Sequence, residues 1–265
     1  MEPLLAECCR HVAEGCAPIL RAARGEDPEA PEWRFRCGMR EHDPGDVRAV
    51  PLEELVRRDP TAVEIVLHPR GSVLERRNVA ARWHTEAGPV LFPRRPSRRW
   101  PGLDPRFPPR PGEALETPDL RLLADVAERG WHTLVYEARP DRPGHAFSVG
   151  LFHGFDHPEI AVLGLSREAL AETVDRIAGR VRAGERFQHG DVAEDIADGR
   201  VAAFRTIPPR VYPAWLGYAL WYHDGARFPA LQCVWADADG RFPWDPWFPS
   251  EARAVQPVLY EPELA

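Results

Sequence analysis

Apolar and polar positions repeat with two different periods along this chain, and the changes of period mark out its elements. From Asp119 to Arg129 apolar residues recur at helical spacing, with Leu120, Leu123 and Ala127 on one face, and Gly130 ends the run. Trp131 to Tyr136, Gly144 to Leu151 and Glu159 to Leu165 then read as strands. Ser166 is placed to cap a helix that carries Glu168 and Glu172 early and runs to Arg182, ending at Ala183-Gly184. Asp198-Gly199 turns the chain into a strand from Val201 to Ile207.

The first third is patterned less regularly. Leu4, Leu5, Cys8, Cys9 and Val12 suit a helical face, but Gly15 and Pro18 interrupt it, and Ala17 to Ala23 is equally consistent with a strand. Trp33-Arg34-Phe35-Arg36-Cys37 alternates with period two and predicts a half-buried strand. Val47 to Val50 predicts another. Pro51 to Arg58 reads as a short helix, and Asp59-Pro60 caps and opens a second one reaching Leu67. Gly71 to Arg76 returns as a strand. Residues 86–118, rich in proline and arginine, predict a linker. Its basic centre (Arg94, Arg95, Arg98, Arg99) is expected to tether one domain to the other, with a polyanion contact as the alternative.

Five of the nine tryptophans fall between Val211 and Phe248. Tyr212, Trp215, Leu216, Ala219 and Leu220 predict a short helix, broken by His223-Asp224-Gly225. Phe228 to Trp235 is apolar on both faces and predicts a strand covered on both sides. Ala236 to Gly240 is expected to be a hairpin loop, and Arg241 to Phe248 an extended, proline-broken edge laid over the sheet by its rings. Together these elements imply an α+β chain of two domains, each a mainly antiparallel sheet with a few packed helices, with boundaries at 1–85, 86–118 and 119–265.

Composition narrows the function. The 44% hydrophobic and 28% charged content is that of a soluble globular protein. No apolar run approaches a membrane span, and the first twenty residues lack a signal-peptide order, so no membrane and a cytoplasmic location are expected. Five cysteines without a disulfide framework agree with a reducing compartment. All 34 basic residues are arginine. Residues 1–118 hold 19 Arg against 19 Asp/Glu, and residues 119–265 hold 15 against 22. An acidic second half disfavours phosphate-backbone binding, so no nucleic-acid partner is expected.

Two stretches carry resemblances. WRFRCG (Trp33 to Gly38), a short helix, RRDP (Arg57 to Pro60) and GSVLER (Gly71 to Arg76) resemble the bacterial immunity protein 33 family over residues 8–85. The mixed-charge Met39-Arg40-Glu41-His42 departs from the acidic loop usual there. That resemblance implies an intracellular protein that neutralises a toxin by binding it, without a catalytic site. GWHTLVY (Gly130 to Tyr136), FSVGL (Phe147 to Leu151), HPEIAVLGL (His157 to Leu165), RAGERF (Arg182 to Phe187), LGYALWY (Leu216 to Tyr222) and LQCVWADADGRFPWD (Leu231 to Asp245) resemble an uncharacterised bacterial family, domain of unknown function 4262.

Chemistry-bearing residues are sparse. Cys8, Cys9, His11 and Cys16 fit no compact zinc spacing and are expected to be structural. His145, His153, Asp156 and His157 form the concentrated polar group, with the last three placed on a loop between strands. His157, Asp156 and His145 are the candidates for acid–base work, and His153 and His157 for a metal, although no metal is expected. Asp237-x-Asp239-Gly240 lacks the remaining ligands of a calcium loop and reads as a turn. Neither Ser148 nor Cys233 has the setting of an activated nucleophile. Trp221, Tyr218, Trp235, Trp244, Asp245, Trp247 and Ser148 are the candidate ligand- or partner-binding residues. The chain is thus expected to bind rather than catalyse, without a cofactor, and to act on a basic toxin protein. The competing class is a metal-dependent enzyme or a split barrel holding FMN, its phosphate at Ser148 and Gly150 and its ring near Trp221 or Trp244.

Overall fold

The structure, a computed structural model, describes residues 2–38, 42, 44–79, 81, 83–85, 88–89, 115–197 and 199–260. It is α+β, and its contacts divide the described residues into two compact units, 2–89 with 115–129, and 130–260. Each unit holds one mixed, mainly antiparallel sheet. No helix among the described residues is long and apolar enough to cross a membrane.

The first unit begins with β1 (Leu5–Cys9), α1 (Arg10–Ala13), β2 (Arg21–Arg24), β3 (Trp33–Arg36), β4 (Val47–Pro51) and α2 (Leu52–Arg58). A 3-10 segment, Pro60–Leu67, and the short strands β5 (Val73–Glu75), β6 (His84–Thr85) and β7 (Gly88–Pro89) follow. The sheet order is β4-β1-β3-β2-β5-β6-β7, with β1 and β3 parallel and the other pairs antiparallel. The period-two pattern of β3 does what it predicts: Trp33 and Phe35 are buried while Arg34 is exposed. Asp59 accepts a hydrogen bond from Thr61 N–H (3.2 Å) and so caps the 3-10 segment. Arg76, the last residue of GSVLER, is buried. It donates to the Ile19 carbonyl through Nε and Nη2 (2.9 and 2.7 Å), pairs with Asp59, and lies over the Trp83 ring.

Helix α3 (Thr117–Arg129) belongs to this unit, whereas the sequence places it at the start of the second domain. It buries Leu120, Leu122, Leu123, Ala124 and Val126, and packs on the 3-10 segment and α2. A helical apolar stripe declares that a face must be covered, not which sheet supplies the cover. Most of the expected linker, including Arg94, Arg95, Arg98 and Arg99, lies outside the described residues.

The second unit contains β8 (His132–Tyr136), β9 (His145–Val149), α4 (Leu151–Phe155), β10 (Glu159–Leu163) and α5 (Arg167–Arg182). Then come β11 (Val192–Ala197), β12 (Arg200–Thr206), α6 (Tyr212–Trp215), α7 (Gly217–Tyr222), β13 (Ala230–Trp235) and α8 (Ser250–Val255). The sheet order is β11-β12-β13-β10-β9-β8, with β10 and β13 parallel. Helix α5, capped as expected by Ser166 (3.2 Å to Ala169 N–H), packs on β8, β9, β10 and β11. Its Leu170, Val174, Ile177, Ala178 and Val181 meet Ile160, Val162, Phe204 and Cys233 in one core. Each such aliphatic side chain stabilises the fold by roughly 1.5–3 kcal/mol when fully buried.

Strand β13 is buried at every position, as its two apolar faces require. The expected hairpin after it does not form. Asp237 closes a tight turn by accepting from Asp239 and Arg241 N–H, but residues 241–248 pair with no strand. Instead β13 lies between β10 and β12, and prolines at 243 and 246 leave the returning chain without ladder donors. The C-terminal segment is fastened to β13 by two buried glutamines. Gln256 bonds both the N–H and the carbonyl of Trp235, and Gln232 bonds Pro257 and Leu259.

Candidate functional site

The polar heart of the second unit is built around Glu159, the first residue of β10 and fully buried. Gly150, at φ +111, lets the chain turn directly from β9 into α4, a conformation that L side chains rarely adopt. The turn aims the first backbone N–H groups of α4 at the Glu159 carboxylate: Gly150 at 2.9 Å, Phe152 at 3.1 Å and Leu151 at 3.3 Å. Ser148 Oγ donates to the same carboxylate (2.6 Å) and accepts from Ile160 N–H (2.9 Å). His223 Nε2 completes the shell at 2.9 Å, its ring stacked on Phe228. Unpaired, a buried carboxylate costs several kcal/mol; here it is met by a full set of donors.

Around this core the histidines are held by different partners. Tyr222 OH and His153 Nδ1 share a hydrogen bond of 2.6 Å. Burial, with His223 adding to it and Glu159 opposing it, holds His153 down to about 4. Burial and the Glu159 charge push the Tyr222 phenol well up. His157 is pinned at both ring nitrogens: Nδ1 donates to the Pro158 carbonyl (2.7 Å) and Nε2 accepts from Phe187 N–H (3.0 Å). Asp156 ends α4 in the left-handed region at φ 53. The stretch expected to be a loop carrying His153 is therefore a short helix.

His145 stands elsewhere in the unit. It is stacked on Tyr136 (4.9 Å) and meets Trp215 edge-on (5.1 Å) in the wall of a cleft of about 310 Å³. Arg139 and Arg142 line the same cleft, with Arg142 over the Trp215 ring. Burial lowers the His145 pKa; the Pro143 carbonyl opposes that shift, and the two arginines reinforce it.

The candidate residues thus do not converge on one centre. Ser148 and Gly150 serve Glu159, so an internal carboxylate stands where the barrel analogy puts a phosphate. His153 and His157 do not fall into a group with metal-ligand spacing; among the described residues that spacing occurs at Cys9, His11, Cys37 and His42 of the first unit. Cys233 is fully buried, and burial pushes its thiol far up. Trp235 is core, donating to the Leu163 carbonyl (2.8 Å), and Asp245 accepts from Phe242 N–H (2.6 Å) inside a turn. Tyr218 and Trp221 form a half-buried edge-to-face pair on α7. Trp244 is stacked on Phe242 (4.6 Å) with Arg205 over its ring, yet 41% exposed, and Trp247 is 80% exposed.

Glu159, Tyr222 and His223 are absent from the residues singled out by sequence. The available signal was Glu159 itself, a carboxylate opening the otherwise apolar run EIAVL.

Residues 125–249 match the family model described as Domain of unknown function (DUF4262), which spans the whole Glu159 cluster. No curated protein and no solved structure matches the chain.

Proposed function

We propose that the chain is a cytoplasmic binding protein of the immunity type, which neutralises a basic partner protein by covering part of its surface. Trp244 and Trp247 form the anchor of that contact. The observation that carries this reading is the exposure of Trp247 at 80%, beside Trp244 at 41%. Large exposed aromatics are costly in water and are the residue type that most often dominates protein interfaces. Two further features support it. The side chains with chemical potential near α4 are engaged in internal hydrogen bonds, and residues 119–265 carry seven more acidic than basic groups. A net negative charge draws a basic partner and speeds the encounter. The resemblance of residues 8–85 to immunity protein 33 points the same way.

The test is to mix the purified chain with the product of the adjacent reading frame and measure complex formation by calorimetry. The expected result is a complex that weakens at high salt and is weakened at least about tenfold by Trp247→Ala, with an unchanged melting temperature. Absence of a complex, or full affinity in the Trp244→Ala/Trp247→Ala double variant, overturns the proposal.

A further inference from the structure

β1 and β3 run parallel and side by side, with Cys8 opposite Phe35, so both strands leave the sheet at the same end. That register brings Cys9 and His11, at the exit of β1, beside Cys37 at the exit of β3. Gly38, at φ +79 and with space for a Cβ limited by Leu20 at 3.1 Å, turns the chain straight after Cys37, and His42 lies against the same spot. Cys9 and Cys37 are buried, and His11 and His42 are half-buried. One ligand-type atom from each of the four lies within 4.8 Å of all the others.

The distances suit a shared ion. Cys37 Sγ is 3.8 Å from His11 Nδ1 and 3.6 Å from His42 Nε2. A tetrahedral zinc held at roughly 2.3 Å from sulfur and 2.0–2.1 Å from nitrogen requires S···N separations of about 3.5 Å. We propose that Cys9, His11, Cys37 and His42 form a closed Cys2His2 zinc site that ties together the exits of β1 and β3. Two soft thiolates and two imidazoles select zinc over the harder oxygen-seeking cations. With all four positions filled by protein, the ion is structural. Binding releases the two thiol protons to solvent, so the site fills more readily as pH rises.

The remaining cysteines of the unit stand apart. Cys8 alternates with Cys9 along β1 and so points to the opposite face, where burial pushes its thiol up to about 12. Cys16 is exposed and faces Glu14.

The full-length chain, purified under reducing conditions, is expected to hold about one zinc per chain or to take it up on titration. Cobalt in its place is expected to give the visible absorption of a tetrahedral thiolate site. Cys37→Ala and His42→Ala each lower zinc content at least about tenfold, whereas Cys16→Ala retains it. Circular dichroism of His42→Ala, a half-buried position, separates loss of the ion from loss of the fold. A reduced wild-type chain that takes up neither ion overturns the site. Zinc retained in Cys37→Ala, or a Cys9–Cys37 disulfide found in chains lysed under nitrogen, does so too.

Discussion

Two polar clusters, one in each unit, both contain histidine but are built on different chemistry. Glu159 accepts from Ser148, three backbone N–H groups and His223, so the negative charge has its complement within the chain. Cys9, His11, Cys37 and His42 instead bring four ligand-type atoms within 4.8 Å of one another, with Cys37 Sγ in sulfur hydrogen-bonding reach of His11 Nδ1 (3.8 Å) and His42 Nε2 (3.6 Å). A cluster whose donors and acceptors cancel is part of the scaffold. One built of two thiols and two imidazoles also carries the donor set of a cation site. Closeness of histidines along the chain is therefore a poor guide to chemistry, since His153 and His157, four residues apart, both hold internal hydrogen bonds.

The comparison can be broken most forcefully at Glu159. Glu159→Ala leaves Ser148, His223 and the first turn of α4 without their acceptor, and is expected to destabilise the second unit by about 3–5 kcal/mol in urea unfolding. A change below about 1 kcal/mol there shows that the carboxylate is not structural and reopens the site to an external anion.

A smaller effect is expected from pH. Folded His153 protonates only near pH 4, while the unfolded chain protonates near 6.5. Between those values the unfolded state takes up a proton that the folded state refuses, so stability is full above about pH 6.5 and declines as pH falls toward 4. The loss reaches at most about 3 kcal/mol and ceases below that window. Denaturant melts across this range should show the decline, and His153→Gln should remove that part of it. An identical slope in the variant assigns the dependence to another group.

The smallest effect sharpens the other side of the contrast. In zinc-free protein His42→Ala should shift the urea midpoint by no more than about 0.5 kcal/mol in stability, because the half-buried ring then keeps only a weak sulfur hydrogen bond and a tilted contact with His11. A large loss without metal would place His42 in the same class as His157, whose two nitrogens both hold the fold together.

Much of the local structure was legible from residue order. The alternation of Trp33 to Cys37, the Ser166 cap of α5, the Asp59-Pro60 start and the doubly apolar β13 all form as their patterns predict. Each depends on neighbours within a turn or a strand, where spacing along the chain is spacing in space. The exposed tryptophans were named among the aromatic residues, but nothing local distinguished buried Trp235 from exposed Trp247. The hairpin expected after β13 failed because the choice between partners, β10 and β12 against a proline-broken return, is made across the whole sheet.

The sequence by itself therefore determined many of the elements, though not β1 or α4, together with the α+β class and the acidic bias of the second half, all additive properties of short segments. The tertiary structure alone decided that α3 packs with the first unit and that Ser148, Gly150 and His223 meet on Glu159. It alone brought Cys9 and His11 to Cys37 and His42, distant in sequence, through the parallel register of β1 and β3. Long-range register sets such meetings, and a parallel neighbour is reached only through a crossover whose partner the local pattern does not name.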